Sequence, residues 1–266
     1  MVRDLEVLIA GALGKMGRET VKAIKAAEGL HLIGAVDVRA QNNAISEITG
    51  DAHDITPVMN DLEEALDRWK PDILIDFTNP QAVLSNSRIA LKKECSCVIG
   101  TTGLDERELA ELDQLARDNG KAILVIPNFS IGAILMMRFA QQAAQYFPDV
   151  EIIELHHDGK MDAPSGTAIK TAEMIDEQRS FLKSPAIGQF EKYPGARGGQ
   201  VNSIRVHSVR LPGYVAHQEV LFGSQGQALT IRHDSFDRKC FMPGVILAVK
   251  KAPELQGLVY GLEHLL

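Results

Sequence analysis

LEVLIAGALGKMGRETVKAIKAAEG, residues 5–29, decides the fold. It opens with a six-residue apolar run of strand length, continues through Gly11, Gly14 and Gly17, and from Val21 onward spaces its apolar residues as a helix does. The reading is strand, turn, helix. HLIGAVD, 31–37, is the next strand, and its closing Asp37 lies 20 positions beyond Gly17. In a βαβ nucleotide fold, glycines let the backbone approach a pyrophosphate at a helix N-terminus, and an acid ending the second strand accepts hydrogen bonds from the adenosine ribose. The pattern is GxxGxxG rather than the commoner GxGxxG, so the glycines alone would also suit a plain tight turn; the flanking strand, helix and acid favour the nucleotide reading. Asp37 favours NAD by accepting from a free ribose hydroxyl. Lys15 and Arg39 stand where a 2'-phosphate would project and favour NADP, or are solvated surface charges.

The alternation continues along the first half. DILIDF (72–77), CSCVIG (95–100) and KAILVIP (121–127) read as strands, with helices over 80–93 and 105–120 between them. Strands alternating with helices predict a parallel sheet covered on both faces, with ligands at the carboxyl ends of the strands. Those ends carry Phe77-Thr78, Gly100-Thr101-Thr102-Gly103 and Pro127-Asn128-Phe129-Ser130. Any one of them is an ordinary polar turn; three together suit the carboxamide and ribose of a nicotinamide.

Length and composition fit this picture. A chain of 266 residues with 45% hydrophobic and 24% charged residues buries a sizeable core, with two modest domains expected. The formal net charge of -7, with cations scattered among acids, leaves no basic face for a nucleic acid. The charged start MVRDLEVLIAG is too short of apolar residues for a signal peptide or a membrane span, so a cytoplasmic protein is expected. Cys95, Cys97 and Cys240 lack zinc or redox spacing and read as buried thiols.

Past a helix over 131–147 the pattern changes. VEIIELHH (150–157) is a strand and TAIKTAEMIDEQ (167–178) a helix. VNSIRVHSVRL, YVAHQEVLFG and QALTIRHDS are three strands that Pro-Gly and Gly-Ser-Gln-Gly would join as hairpins of an antiparallel sheet. Residues 180–200 read as a loop and the segment from 241 onward as helical, returning to the first domain. The stretch IELHHDGKMDAPSG, 153–166, concentrates the chemistry. Strand alternation sends His156 and His157 to opposite faces, which disfavours a shared metal ion, and no metal site is expected. Ser165 suits the N-cap of a helix whose first N–H groups, at Gly166 and Thr167, would receive an anion. With His156 and Lys160 nearby, the cluster suits a small carboxylate substrate and proton donation near neutral pH. A hydrogen-bonded core histidine beside a surface lysine is the alternative.

ELHHDGKMDAPSGTA closely resembles the signature of the 4-hydroxy-tetrahydrodipicolinate (dihydrodipicolinate) reductase family, and the resemblance spans nearly the whole chain through GALGKMGR, IDFT, VIGTTG, PNFSIG and RVHSVRLPGYVAHQEVLFG. It implies an α/β chain with a Rossmann-like dinucleotide-binding domain, residues 1–129 plus 238–266. A second α+β domain, 130–237, would bind substrate on a mixed, largely antiparallel sheet and build a homotetramer. It implies NADH or NADPH as hydride source. By position, His156 matches the proton donor/acceptor and Lys160 the proton donor. His157, Gly166 and Thr167 match substrate contacts. Gly11, Ala12, Leu13, Gly14, Lys15, Met16, Asp37, Gly100, Thr101, Thr102, Ile126, Pro127, Asn128 and Phe129 match cofactor contacts. The implied reaction sends hydride to C4 of a cyclic dicarboxylate with loss of water, and Lys160 protonates the resulting enamine or carbanion. Some relatives carry arginine directly after the ribose acid; here Val38 stands there and Arg39 follows, leaving NADH and NADPH both open. The rivals are another two-domain dehydrogenase acting on a sugar or amino acid, which would not require DAPSGT beside His and Lys, and a regulator that binds nucleotide without turnover.

Overall fold

The computed structural model describes residues 3–179 and 190–266, in two compact units: one of residues up to Ile131 together with Phe241–Leu266, and one of Gly132–Cys240. The first unit runs β1 (Leu5–Ala10), α1 (Lys15–Ala26), β2 (Leu30–Val36), α2 (Ser46–Thr49), β3 (Val58–Met59), α3 (Leu62–Trp69), β4 (Ile73–Asp76), α4 (Val83–Lys92), β5 (Ser96–Ile99), α5 (Glu106–Asp118) and β6 (Ala122–Val125). Its seven strands order as β12-β6-β5-β4-β1-β2-β3, all pairs parallel, where β12 is Gly257–Tyr260. Every residue of β4, β5 and β6 is buried, as expected of a parallel sheet sandwiched by helices. Leu8, Leu74, Ile99 and Ile123 pack against Leu66 of α3, Leu91 of α4 and Leu112 of α5. Each such side chain contributes roughly 1.5–3 kcal/mol by leaving water. Asp61 caps α3 through Glu64 N, and Asp105 and Glu108 form a reciprocal capping box on α5. Helix α1 starts instead at Gly14, with no side-chain cap. Its first N–H groups are therefore left for another acceptor. Because β2 and β4 leave β1 in opposite directions, the order reverses at β1, the place where such sheets open a crevice at their carboxyl ends.

The second unit carries α6 (Ile131–Ala143), β7 (Asp149–His156), α7 (Gly166–Gln178), β8 (Gly199–Val201), β9 (Ile204–Arg210), β10 (Ala216–Ser224) and β11 (Gln227–Ser235). Its five-stranded sheet orders as β11-β10-β7-β9-β8, with only β7 and β9 parallel. Ala140 and Ala144, with Ala168, Ala172 and Ile175 of α7, cover Ile152, Val206, Val220 and Phe222. The small residues let the helices lie close to the sheet. No helix among the described residues is long and apolar enough to cross a membrane.

The structure corrects four readings. VNSIRVHSVRL and YVAHQEVLFG do not form a hairpin: β7 lies between β9 and β10 and pairs with both, so Pro212-Gly213 joins strands that are not neighbours. A local turn signal cannot report a strand inserted from 50 residues away, and only the β10–β11 hairpin stands. The final segment is not helical throughout. Helix α8 (Met242–Lys251) is followed by β12, which pairs with β6. The loop reading over 180–200 gives way to strand at Gly199–Val201, while 180–189 lie outside the described residues. Cys95 and Cys97 are buried, but Cys240 is only partly so, because it lies just before α8 where the chain leaves the second unit. Burial pushes the Cys95 thiol up to about 12.

Candidate active site

In the first unit the glycine turn is sterically fixed. Gly11 has φ +78°, and a Cβ there would lie 2.4 Å from Phe77 O; at Gly17 one would lie 2.1 Å from Gly11 O and 2.7 Å from Ala12 Cα. Only hydrogen fits in either place. Asp37, directly after β2, is 4% exposed, and its carboxylate accepts from Leu13 N at 2.9 Å and Arg39 N at 3.0 Å. Arg39 adds Nε and Nη2, each at 2.9 Å. Burial raises the Asp37 pKa, but these hydrogen bonds and the Arg39 charge outweigh it and hold the carboxyl below its ordinary value. A pocket of 410 Å³ opens here, lined by Gly11, Gly14, Asp37, Val38, Arg39, Asn60, Phe77, Thr78, Asn79 and Asn86 among others. The turn thus comes together with Asp37 and Arg39. Ala12 is fully covered and offers backbone only, and Lys15 is exposed at the first turn of α1.

Next to it, the ends of β4, β5 and β6 meet. Asp76, fully buried, accepts from Thr78 N (2.8 Å) and Oγ1 (2.6 Å), Asn86 Nδ2 (2.8 Å) and Thr101 Oγ1 (3.1 Å). The rings of Phe77 and Phe129 lie 5.6 Å apart, Ile126 N donates to Ile99 O, and Asn128 Oδ1 accepts from Ser130 N. Gly100, Thr102 and Pro127 complete these loops, with Thr102 and Pro127 exposed.

In the second unit the 153–167 stretch folds around one carboxylate. Val150, Ile152, Glu154 and His156 share a face of β7 by strand alternation, so an acid and a histidine continue the line of the core. Glu154 is fully buried. Its Oε2 meets His156 Nδ1 and accepts from Arg210 Nη1 at 2.8 Å; its Oε1 accepts from Arg210 Nη2 at 2.8 Å and from Ser165 N at 3.3 Å. Arg210 also donates to Asp162 O at 2.7 Å, and the Asp162 carboxylate accepts from Lys160 Nζ at 2.7 and 2.8 Å. His156, Glu154, Arg210, Asp162 and Lys160 therefore form one connected set. His157 falls just beyond the strand and is exposed. Ser165 Oγ accepts from Ala168 N at 3.2 Å and caps α7 as its residue type predicts. Above Gly166 the space is open, since a Cβ there would meet nothing within 4 Å. Gly166 and Thr167 present first-turn N–H groups beside that space.

Burial raises the Glu154 pKa, yet hydrogen bonds from His156, Arg210 and Ser208 and the His156 charge take it down to about 2. A depressed carboxyl stabilises the fold above its unfolded pKa of about 4.5 and stops doing so as pH falls through its folded one. The expected stability loss between those pH values is on the order of 3 kcal/mol, measured by urea unfolding at stepped pH. Glu154→Gln should lack that slope.

Sequence reasoning missed Glu154, Arg210 and Asp76. An acid on the core face of an alternating strand, or at the end of an apolar run, was the available signal for Glu154 and Asp76; Arg210 gave none, because its place beside His156 depends on the β7–β9 pairing.

Comparison with known proteins adds an independent line. The families described as dihydrodipicolinate reductase, N-terminus and C-terminus, match residues 5–129 and 132–266. A 4-hydroxy-tetrahydrodipicolinate reductase of Syntrophomonas wolfei is 56% identical over the full length of both chains. A solved dihydrodipicolinate reductase of Paenisporosarcina sp. TG-14, with dipicolinate bound, aligns at TM-score 0.88 and 44% identity, covering 99% of this chain and 100% of that one. An amine dehydrogenase of Mycobacterium smegmatis aligns at TM-score 0.66 over 96% and 94% of the two chains but at 13% identity, a likeness of fold alone. Matched end to end by both family halves and by a relative sharing more than half its residues, the chain belongs to the dihydrodipicolinate reductase family and is an oxidoreductase.

Proposed function

We propose that the protein reduces 4-hydroxy-tetrahydrodipicolinate to tetrahydrodipicolinate with loss of water, in lysine biosynthesis through diaminopimelate, as a cytoplasmic homotetramer using NADH or NADPH. The observation that carries this reading is the connected set His156–Glu154–Arg210–Asp162–Lys160 next to the open N-terminus of α7. A proton-handling pair beside an anion-binding helix end suits a ring dicarboxylate.

The first unit fits a dinucleotide. The uncapped start of α1 offers the backbone N–H groups of Lys15 and Met16 to a pyrophosphate, while those from Gly11 to Gly14 donate to Val36 O, Asp37 and Gly11 O and hold the turn that brings it close. Asp37 accepts from the adenosine ribose, and the loops of Gly100–Thr102 and Ile126–Phe129 take the nicotinamide end. When bound, the nicotinamide supplies a hydride. The second unit binds the substrate: Gly166 and Thr167 N–H groups and Ser165 hold a carboxylate, and His157 contacts the other end. Lys160 gives a proton from Nζ to the reduced ring, and His156 donates or accepts at the imidazole edge that Glu154 leaves free. The overall change consumes one hydride and one proton and releases water.

Absorbance of NADH tests this directly. Purified protein mixed with NADH and substrate freshly made from pyruvate and aspartate semialdehyde should consume the cofactor; binding of NADH without turnover would favour a nucleotide-sensing regulator instead.

Arg39 bears on the coenzyme. It lies on the Asp37 carboxylate, which for NADH must also accept from the ribose, and its guanidinium is the group that would meet a 2'-phosphate. Arg39→Ala should weaken NADPH about tenfold and leave NADH within about twofold, read by fluorescence titration. An equal change for both coenzymes would remove Arg39 from the 2' position.

A further inference from the structure

We infer that Glu154 is a positioning residue, which fixes the proton of His156 on Nδ1 and sets the imidazole and the anion-binding turn in one register. The inference rests on the reading of His156 as a proton-handling group given above. An ionised carboxylate with no exposure is costly to bury and is held only by full pairing. Here both oxygens are engaged, Oε2 by His156 Nδ1 and Arg210 Nη1 and Oε1 by Arg210 Nη2 and Ser165 N, with a further hydrogen bond from Ser208. A carboxylate can only accept, so a neutral His156 must carry its hydrogen on Nδ1, leaving the Nε2 lone pair for the reacting edge. Ser165 N is the backbone of the N-cap that opens α7, so the same side chain that orients the ring anchors the turn presenting Gly166 and Thr167. Arg210, by donating also to Asp162 O, ties in the segment that holds Lys160. One buried acid thus links the proton groups to the carboxylate-binding helix end. A merely structural acid on β7 would need Arg210 but not the imidazole.

A double-mutant cycle separates the two. Glu154→Gln, whose amide oxygen can still accept from Ser165 N and so keep the turn in place while its NH₂ cannot accept from His156 Nδ1, should lower kcat roughly 10²-fold while substrate KM and NADH affinity stay within about twofold. In a His156→Ala background the same change should cost almost nothing further, because its effect runs through the ring. Nitrogen-15 NMR of the wild type, at a pH where the ring is neutral, should show the Nδ1–H tautomer. This measurement needs no variant to fold. An Nε2–H tautomer, or an equal further loss when Glu154→Gln is added to His156→Ala, would overturn the inference and leave the proposed reaction standing. A His156→Ala enzyme with undiminished kcat would instead remove the proton role of His156, and the inference with it.

Discussion

Replacing Lys160 with alanine should lower kcat by roughly 10²–10⁴-fold and change substrate KM by no more than about threefold. The asymmetry follows from the proposed role. Proton donation from Nζ to the reduced ring is worth most in the transition state, whereas the carboxylates are held by the backbone N–H groups at the start of α7, which the substitution leaves alone. Lys160 Nζ already has an acceptor in Asp162, so its loss leaves an exposed carboxylate rather than a buried one, and the fold should be little affected. Steady-state kinetics with a thermal melt on the same preparation checks both halves. A rise in KM at constant kcat would make Lys160 a binding residue.

The second large effect is expected at the glycine turn. In Gly17→Ala the added methyl would lie 2.1 Å from Gly11 O and 2.7 Å from Ala12 Cα, both main-chain atoms that no rotamer change can clear. The turn must open or α1 must shift, at a cost on the order of 3 kcal/mol. Either movement displaces the N–H groups offered to the pyrophosphate, so NADH affinity should fall by about 100-fold or more. Titration by fluorescence, alongside urea unfolding, measures the two losses. An unchanged NADH affinity would show that the turn does not cradle the coenzyme.

These effects differ in how far they could be read in advance. The strand-turn-helix at residues 5–29, Asp37, and the strands of 73–76, 96–99 and 122–125 were legible because each depends on local periodicity and on residues close in the chain. The Ser165 cap was legible for the same reason. Partnership across strands was not. The pairing of Glu154 with Arg210 spans 56 positions, and nothing near either residue reports that β7 lies between β9 and β10. The segment LQGLVYG, 255–261, hid its strand by its shortness and its glycines, and it was settled by the open edge of β6 rather than by propensity.

That last strand has a consequence for biosynthesis. β12 seals the flank of β6, yet the ribosome must first make the whole of residues 132–240 before it can be supplied. Throughout that interval the nascent first unit carries a bare row of amide and carbonyl groups, the kind of rim on which chains aggregate. Chaperone dependence, and misassembly when translation stalls after residue 131, are the expected marks of a layered unit stitched shut from both sides of an insertion.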